Sequence, residues 1–359
     1  MSHVCNIFIA FWKSPFLGES VCIMKRIEWI DNAKVLGIFF VVLGHSGCSK
    51  WMVDYIYSFH MPLFFFLSGV IFKNLNLTTI SYLKKLSASL LVPYLFFSLV
   101  SYLFWVFIGR KFGADAGLDI SIFKPIIGIF YSVGKDGWMI HNTPLWFLTC
   151  LFVTSTAYFL IDKYVNGDIK VLVVVFIIMI IGLFWKKMNI PRFPWGINVM
   201  PFSLIFFALG YFFQKYRHYL KCSKMFCTFI MVIVLAISVS SHYYNGRVDL
   251  NSLIFNNYLV FLISALSGIA TYSMAASLIP YSRMMQFIGM NTLTIFALHG
   301  IGFSMVKGFM VFILGLDLAL LNGDLWLNVL VSISVILFLS PVAFMLNRFM
   351  PAAVGRKQI

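Results

Sequence analysis

The chain has 359 residues, 61% of them hydrophobic and only 11% charged, with a net charge of +15. No soluble globular domain is that apolar, so the bilayer is the solvent and backbone polar groups must be satisfied inside helices. Uninterrupted apolar runs exclude a β-barrel, whose strands alternate with period two. The basic residues sit mostly between those runs, which points to topology and anionic lipid rather than to nucleic acid.

In chain order, "IFIAFW" (7–12) is too short to span, and no Lys or Arg precedes it, so it makes a poor signal peptide. Met24 is followed by the basic stretch "KRIEWIDNAK". Two readings stand side by side: residues 1–23 are a non-native or disordered extension, or they are an ordinary ragged N-terminus. Residues 24–359 read as a single membrane domain, without internal repeats or low-complexity linkers. Windows long enough to cross about 30 Å of hydrocarbon fall near 33–49, 59–73, 86–108, 144–161, 169–185, 197–213, 225–241, 256–280, 288–314 and 325–346. The second is short, and Gly300, Gly302 and Lys307 interrupt the ninth. The fold class is therefore all-α, a polytopic bundle of about ten transmembrane helices. The distribution of Lys and Arg favours N-in and C-in. The connection 109–143 contains "SIFKPIIGIFYSV", which reads as an interfacial or re-entrant helix on the outer face. The six cysteines are scattered and carry no metal-ligand spacing.

The chemistry-bearing residues begin in the first window. Lys34 and His45 are eleven residues apart, three helical turns plus about 20°, so they share a face roughly 16 Å apart along the axis. Asp31 lies one turn before Lys34 on nearly the same stripe. Polar groups stacked on one face of a spanning helix belong inside the bundle, although Asp31 and Lys34 also suit interfacial anchoring and snorkelling. His60 and Pro62 open the second window. After a loop of roughly nine residues, an antiparallel hairpin would return His60 to the depth of His45. Two histidines at one depth on adjacent helices signal a site more strongly than either alone. Ser68 and Gly69 suit close helix packing. Trp146 suits stacking on a sugar ring or anchoring at the interface, and His299 suits a site or a packed position equally.

"DNAKVLGIFFVVLGH" (31–45) followed by "FHMPLFFFLSG" (59–69) resembles the start of the membrane acyltransferase-3 family. The second phrase looks most like the branch that includes fucose 4-O-acetylase and the enterobacterial common antigen O-acetyltransferase. "VPYLFF" (92–97), "PLWFLTCLF" (144–152), "FFALGYFFQK" (206–215) and "FIGMNTLTIFALHG" (287–300) continue the likeness in the family's order. The resemblance implies transfer of an acyl group, usually acetyl, from acetyl-CoA to a hydroxyl of a cell-surface polysaccharide or lipid-linked glycan. It implies a multi-pass protein of a bacterial inner or plasma membrane, in contact with lipid, with no metal and no nucleic acid. His45 is then the general base or a carrier of the acetyl group, with His60 as a second catalytic candidate. Asp31, Lys34, Lys84 and Lys85 would hold the donor, while Trp146 and His299 would meet the acceptor. The family commonly places two basic residues about three apart before the third-helix proline. Here Lys84 and Lys85 supply the first, but Ala88 and Ser89 occupy the place of the second, which leaves Lys73 or Lys215 as substitutes. Transfer of succinyl or another acyl group, and a polysaccharide-precursor transporter, are the competing readings. A transporter often shows two related halves, and none is visible.

Overall fold

A computed structural model describes residues 28–73, 76–112, 119–219 and 223–356. The proposed extension 1–23 lies outside the described residues. Across the described residues the chain is all helical: α1 (Glu28–Gly44), α2 (Lys50–Ile71), α3 (Thr79–Phe104), a short α4 (Phe123–Tyr131), α5 (Trp146–Tyr164), α6 (Asp168–Lys187), α7 (Met200–Tyr216), α8 (Lys224–Asn245), α9 (Tyr258–Leu278), α10 (Arg283–Met290), α11 (Thr292–Phe312) and α12 (Leu325–Phe349). Among the described residues, eight segments are long and apolar enough to cross a membrane, corresponding to α3, α5–α9, α11 and α12. The first two windows also form helices, but α1 has 17 residues, about 25 Å of rise, and α2 carries Lys50, Asp54 and His60.

Burial sorts the helices into a centre and a periphery. On α1 the stripe Ala33, Val35, Gly37, Ile38, Val41 and Val42 is buried, and the helix packs against α2, α9, α10, α11 and α12. By contrast, α6 buries only Val171, Val175, Met179 and Gly182, a single stripe at near-helical spacing. Its remaining surface shows Val173, Phe176, Ile177 and Phe184 outward, as a lipid-facing wall requires.

Small residues set a close crossing between α2 and α7. A Cβ on Gly69 would lie 1.9 Å from the Phe207 carbonyl oxygen, and one on Gly210 would lie 2.0 Å from that of Phe66. Each glycine thus admits the other helix's backbone, the small-residue packing used where lipid gives no hydrophobic drive between helices. Gly302, by the same test, lets α11 approach Val335 on α12. The ninth window is accordingly not interrupted at Gly300, Gly302 or Lys307. It is divided at Asn291, between α10 and α11.

Chain direction alternates, so the links 45–49, 119–145, 188–199, 246–257 and 313–324 gather at one end of the bundle. At the opposite end, buried side chains tie helix termini together. Asn32 Nδ2 donates to the carbonyls of Ala276 and Ile279 at 3.1 and 3.0 Å, which satisfies acceptors that the end of α9 leaves open. Asn291 Oδ1 accepts from Asn347 Nδ2 at 2.6 Å and from an Arg356 amino group at 3.1 Å. The tail after α12 turns through Pro351–Val354. It then lays Gly355 (φ +73°) so close to α3 that a Cβ there would be 2.8 Å from the Ser89 carbonyl oxygen.

Candidate active site

The end of α1 explains how His45 is presented. Helix α1 stops at Gly44, and His45 sits one residue beyond it in a tightened turn, with its N–H donating to Val42 O at 3.0 Å. Ser46 Oγ donates to Leu43 O at 2.8 Å, and Lys307 Nζ reaches from α11 to Ser46 O at 2.9 Å. Gly47 adopts φ +106°, a conformation natural to glycine. The backbone around His45 is thus held on several sides. Its imidazole is exposed and, among the described residues, has no hydrogen-bond partner.

His60 differs from expectation in place. Ser49 caps α2 through the N–H of Met52, so the helix starts at Lys50 and His60 lies ten residues inside it. The polar residues of "KWMVDYIYSFH" hide this start from an apolar window. The hairpin loop is consequently short, and Gly44 packs beside Ile56 and Tyr57. Since His60 follows Tyr57 by three residues, it sits about one turn deeper than His45 rather than level with it. His60 is buried, and its Nδ1 donates to Ile56 O at 2.7 Å.

A cavity of about 130 Å³ brings the pieces together. Its wall includes His45, Tyr57 and His60 from the hairpin, Trp146 and Phe296 from α5 and α11, Thr143 from the link before α5, and Asp249, Asn251 and Ser252 from the link before α9. The Tyr57 ring lies 6.2 Å from that of His45 and 4.9 Å from that of His60. His299 is buried on α11 with its ring 5.0 Å from His45, and its Nδ1 donates to Phe296 O at 2.6 Å. Asn142 Nδ2 fixes this arrangement, donating to Ser101 Oγ at 2.8 Å and Ala297 O at 2.7 Å.

Several of these residues are not evident in the sequence. Arg247 bonds Asp54 at 2.8 Å and lies 4.1 Å from the Tyr57 ring centre. Asp249 accepts from the N–H and the hydroxyl of Ser252 at 3.1 and 2.9 Å. Asn251 Nδ2 donates to Gly134 O, and Arg192 donates to Asn251 O. The chain has only 12 Asp and Glu, which makes Asp54 and Asp249 notable beside membrane helices, but scarcity alone does not say where a link between helices folds.

The other proposed site residues lie at the far end. Lys34 is half-buried on α1, while Asp31 is buried with its backbone and Cβ against Gly289. Lys84 and Lys85 are exposed near the start of α3. They precede Ser101 by 16 or 17 residues, about 25 Å along a helix, and so stand away from the cavity. Lys215 is occupied by a 2.7 Å ion pair with Asp168, a structural role that competes with donor binding. Among the described residues no group of three or more His, Cys, Asp or Glu is arranged to hold a metal ion.

The arrangement supplies an unbonded imidazole beside a small cavity, flanked by two imidazoles whose Nδ1 atoms are engaged. That is equipment for proton transfer to or from a bound hydroxyl. A family model for an acyltransferase domain, that of the acyltransferase-3 family, matches residues 27–348. No curated protein and no solved structure matches the chain.

Proposed function

We propose, for a chain that belongs to the acyltransferase-3 family, that it is an O-acetyltransferase of a bacterial inner or plasma membrane. It moves acetyl from acetyl-CoA to a hydroxyl of a cell-surface polysaccharide or lipid-linked glycan precursor. The observation that carries this reading is the unbonded His45 imidazole on the cavity wall.

His45 takes the proton of the acceptor hydroxyl while the oxygen attacks the thioester carbonyl. The carbon–sulfur bond then breaks, and the leaving thiolate takes the proton back from His45, giving ester and free thiol. The donor approaches from the opposite, cytoplasmic end in an N-in, C-in arrangement. Lys34, on α1 roughly 16 Å from His45, attracts its phosphates, with Lys84 and Lys85 exposed at the same end. An extended CoA arm spans a distance of that order. On the cavity side, Trp146 and the polar edge of Asp249, Asn251 and Ser252 suit a hydroxyl-rich sugar.

The test supplies membranes containing the protein with radiolabelled acetyl-CoA and membrane glycan, and follows label into the glycan ester fraction. Label in the glycan that mild alkali releases supports the reading. Movement of unmodified glycan without label transfer would replace it with transport. Transfer from succinyl-CoA in preference to acetyl-CoA would change the acyl group.

A further inference from the structure

We infer that His299 is a positioning residue for His45, the two forming a histidine pair in which His299 Nε2 accepts the His45 N–H. The inference rests on the reading of His45 as the general base.

Three observations support the pairing. First, the His299 tautomer is fixed. Its Nδ1 lies 2.6 Å from Phe296 O, and a carbonyl only accepts, so Nδ1 carries the proton and a neutral ring keeps its lone pair on Nε2. Second, one of its ring neighbours is a suitable partner. His299 is 3% exposed, and its ring neighbours are Phe296 and Phe303 at 6.2 and 6.3 Å and His45 at 5.0 Å. Of these only His45 can donate a hydrogen bond. Third, His45 lacks any other orienting bond among the described residues. Its backbone is held by Val42 and by Lys307 through Ser46, yet no hydrogen bond fixes the angle of the ring.

The rings are tilted by 41° and stand as neighbours without a hydrogen bond between them. Such contacts commonly tighten only when substrate is bound. With one His45 nitrogen donating to His299, the other nitrogen presents its lone pair to the cavity. When His45 takes the hydroxyl proton, the imidazolium keeps its bond to His299, which remains neutral. The proton then leaves on the thiol, so the pair ends the cycle as it began. A base held in one tautomer by a third group is the general logic of catalytic triads.

The experiment compares His299→Gln with His299→Phe and His299→Asn at matched membrane abundance, alongside His45→Ala and the His45→Ala/His299→Phe double variant. Gln carries an amide oxygen long enough to replace Nε2, Phe keeps the ring without an acceptor, and Asn is too short. The expected result is a loss of kcat of at least about tenfold, a part of the roughly 10²–10⁴-fold that acid–base catalysis supplies, for Phe and Asn. KM for acetyl-CoA stays unchanged, Gln recovers a clear part of kcat, and the double variant is no slower than His45→Ala. Near-normal kcat in the Phe or Asn variant overturns the pairing, as does an equal loss in all three. If His45→Ala itself keeps normal turnover, the assignment of the base has failed, which the same set separates from failure of the pairing.

Discussion

Arg247 Nη1 lies 2.8 Å from Asp54 Oδ1, and from that anchor its guanidinium covers Tyr57 at 4.1 Å from the ring centre. One ion pair therefore joins the link before α9 to the helix that carries His60. The Asp54 side chain is 11% exposed and that of Arg247 is 40% exposed. Asp54→Asn or Arg247→Gln should destabilise the protein by about 1–2 kcal/mol, below the cost of breaking a wholly buried pair. The double variant should cost less than the sum. Thermal unfolding in detergent measures both, and strict additivity would show that the pair is not coupled.

His45→Ala should reduce acetyl transfer by about 10²–10⁴-fold while membrane abundance stays near normal, since an exposed ring contributes little packing. Lys34→Ala should chiefly raise KM for acetyl-CoA, and Lys34→Arg should retain more function because charge is what is needed. Initial rates over a range of acetyl-CoA separate these cases. Full turnover in His45→Ala would move the search to His60 and His299.

Gly69→Ala and Gly210→Ala should each force α2 and α7 apart, because the obstructing atoms are backbone carbonyls that cannot turn aside. The expected cost is about 1–3 kcal/mol, typical of overpacking. Ser68→Ala is the control. Its hydroxyl bonds only Phe64 O on its own helix, so its loss should leave detergent stability nearly unchanged.

His141 has both ring nitrogens buried without a partner, and burial lowers its pKa to about 4. The unfolded chain takes up a proton near the ordinary value of about 6.5, whereas the folded protein does so only near 4. Stability should therefore fall as pH drops from about 6.5 towards 4. His141→Phe should flatten that part of the profile. Melting temperatures measured across this range for the two proteins decide the point, and parallel profiles would exclude His141 as the cause.

Orientation has a direct test. A single cysteine placed at Lys111 should react with an impermeant reagent on intact cells, and one at Lys224 should react only after the membrane is opened. The reverse pattern would place the cavity on the cytoplasmic side and require the donor to arrive there.

The helices were legible because long apolar runs leave few alternatives, and each predicted window contains a long helix. Their ends were less legible where polar residues serve the interior. Lys50 and Asp54 hid the start of α2, and with it the depth of His60. The helix-face argument for Lys34 and His45 ran one residue past the true end of α1. His45, His60 and Trp146 stand out in the sequence because they lie in distinctive local phrases, and all three line the cavity. Arg247 and Asp249 do not stand out, because a link between helices has no periodicity to reveal which way it folds. Their place depends on contacts with Asp54 and with the link that contains Gly134, more than a hundred residues away.

The seating of Gly355 against Ser89 has a consequence in time. The two residues are separated by 266 positions, so at about 5–20 residues per second the ribosome reaches the second roughly 10–50 s after the first. Throughout that interval the side of α3 that Gly355 meets, at Ser89 and Pro93, lacks the partner it has in the folded protein. A product cut short before residue 351 would keep every long helix and still lack the seam that joins α3 to the end of α12.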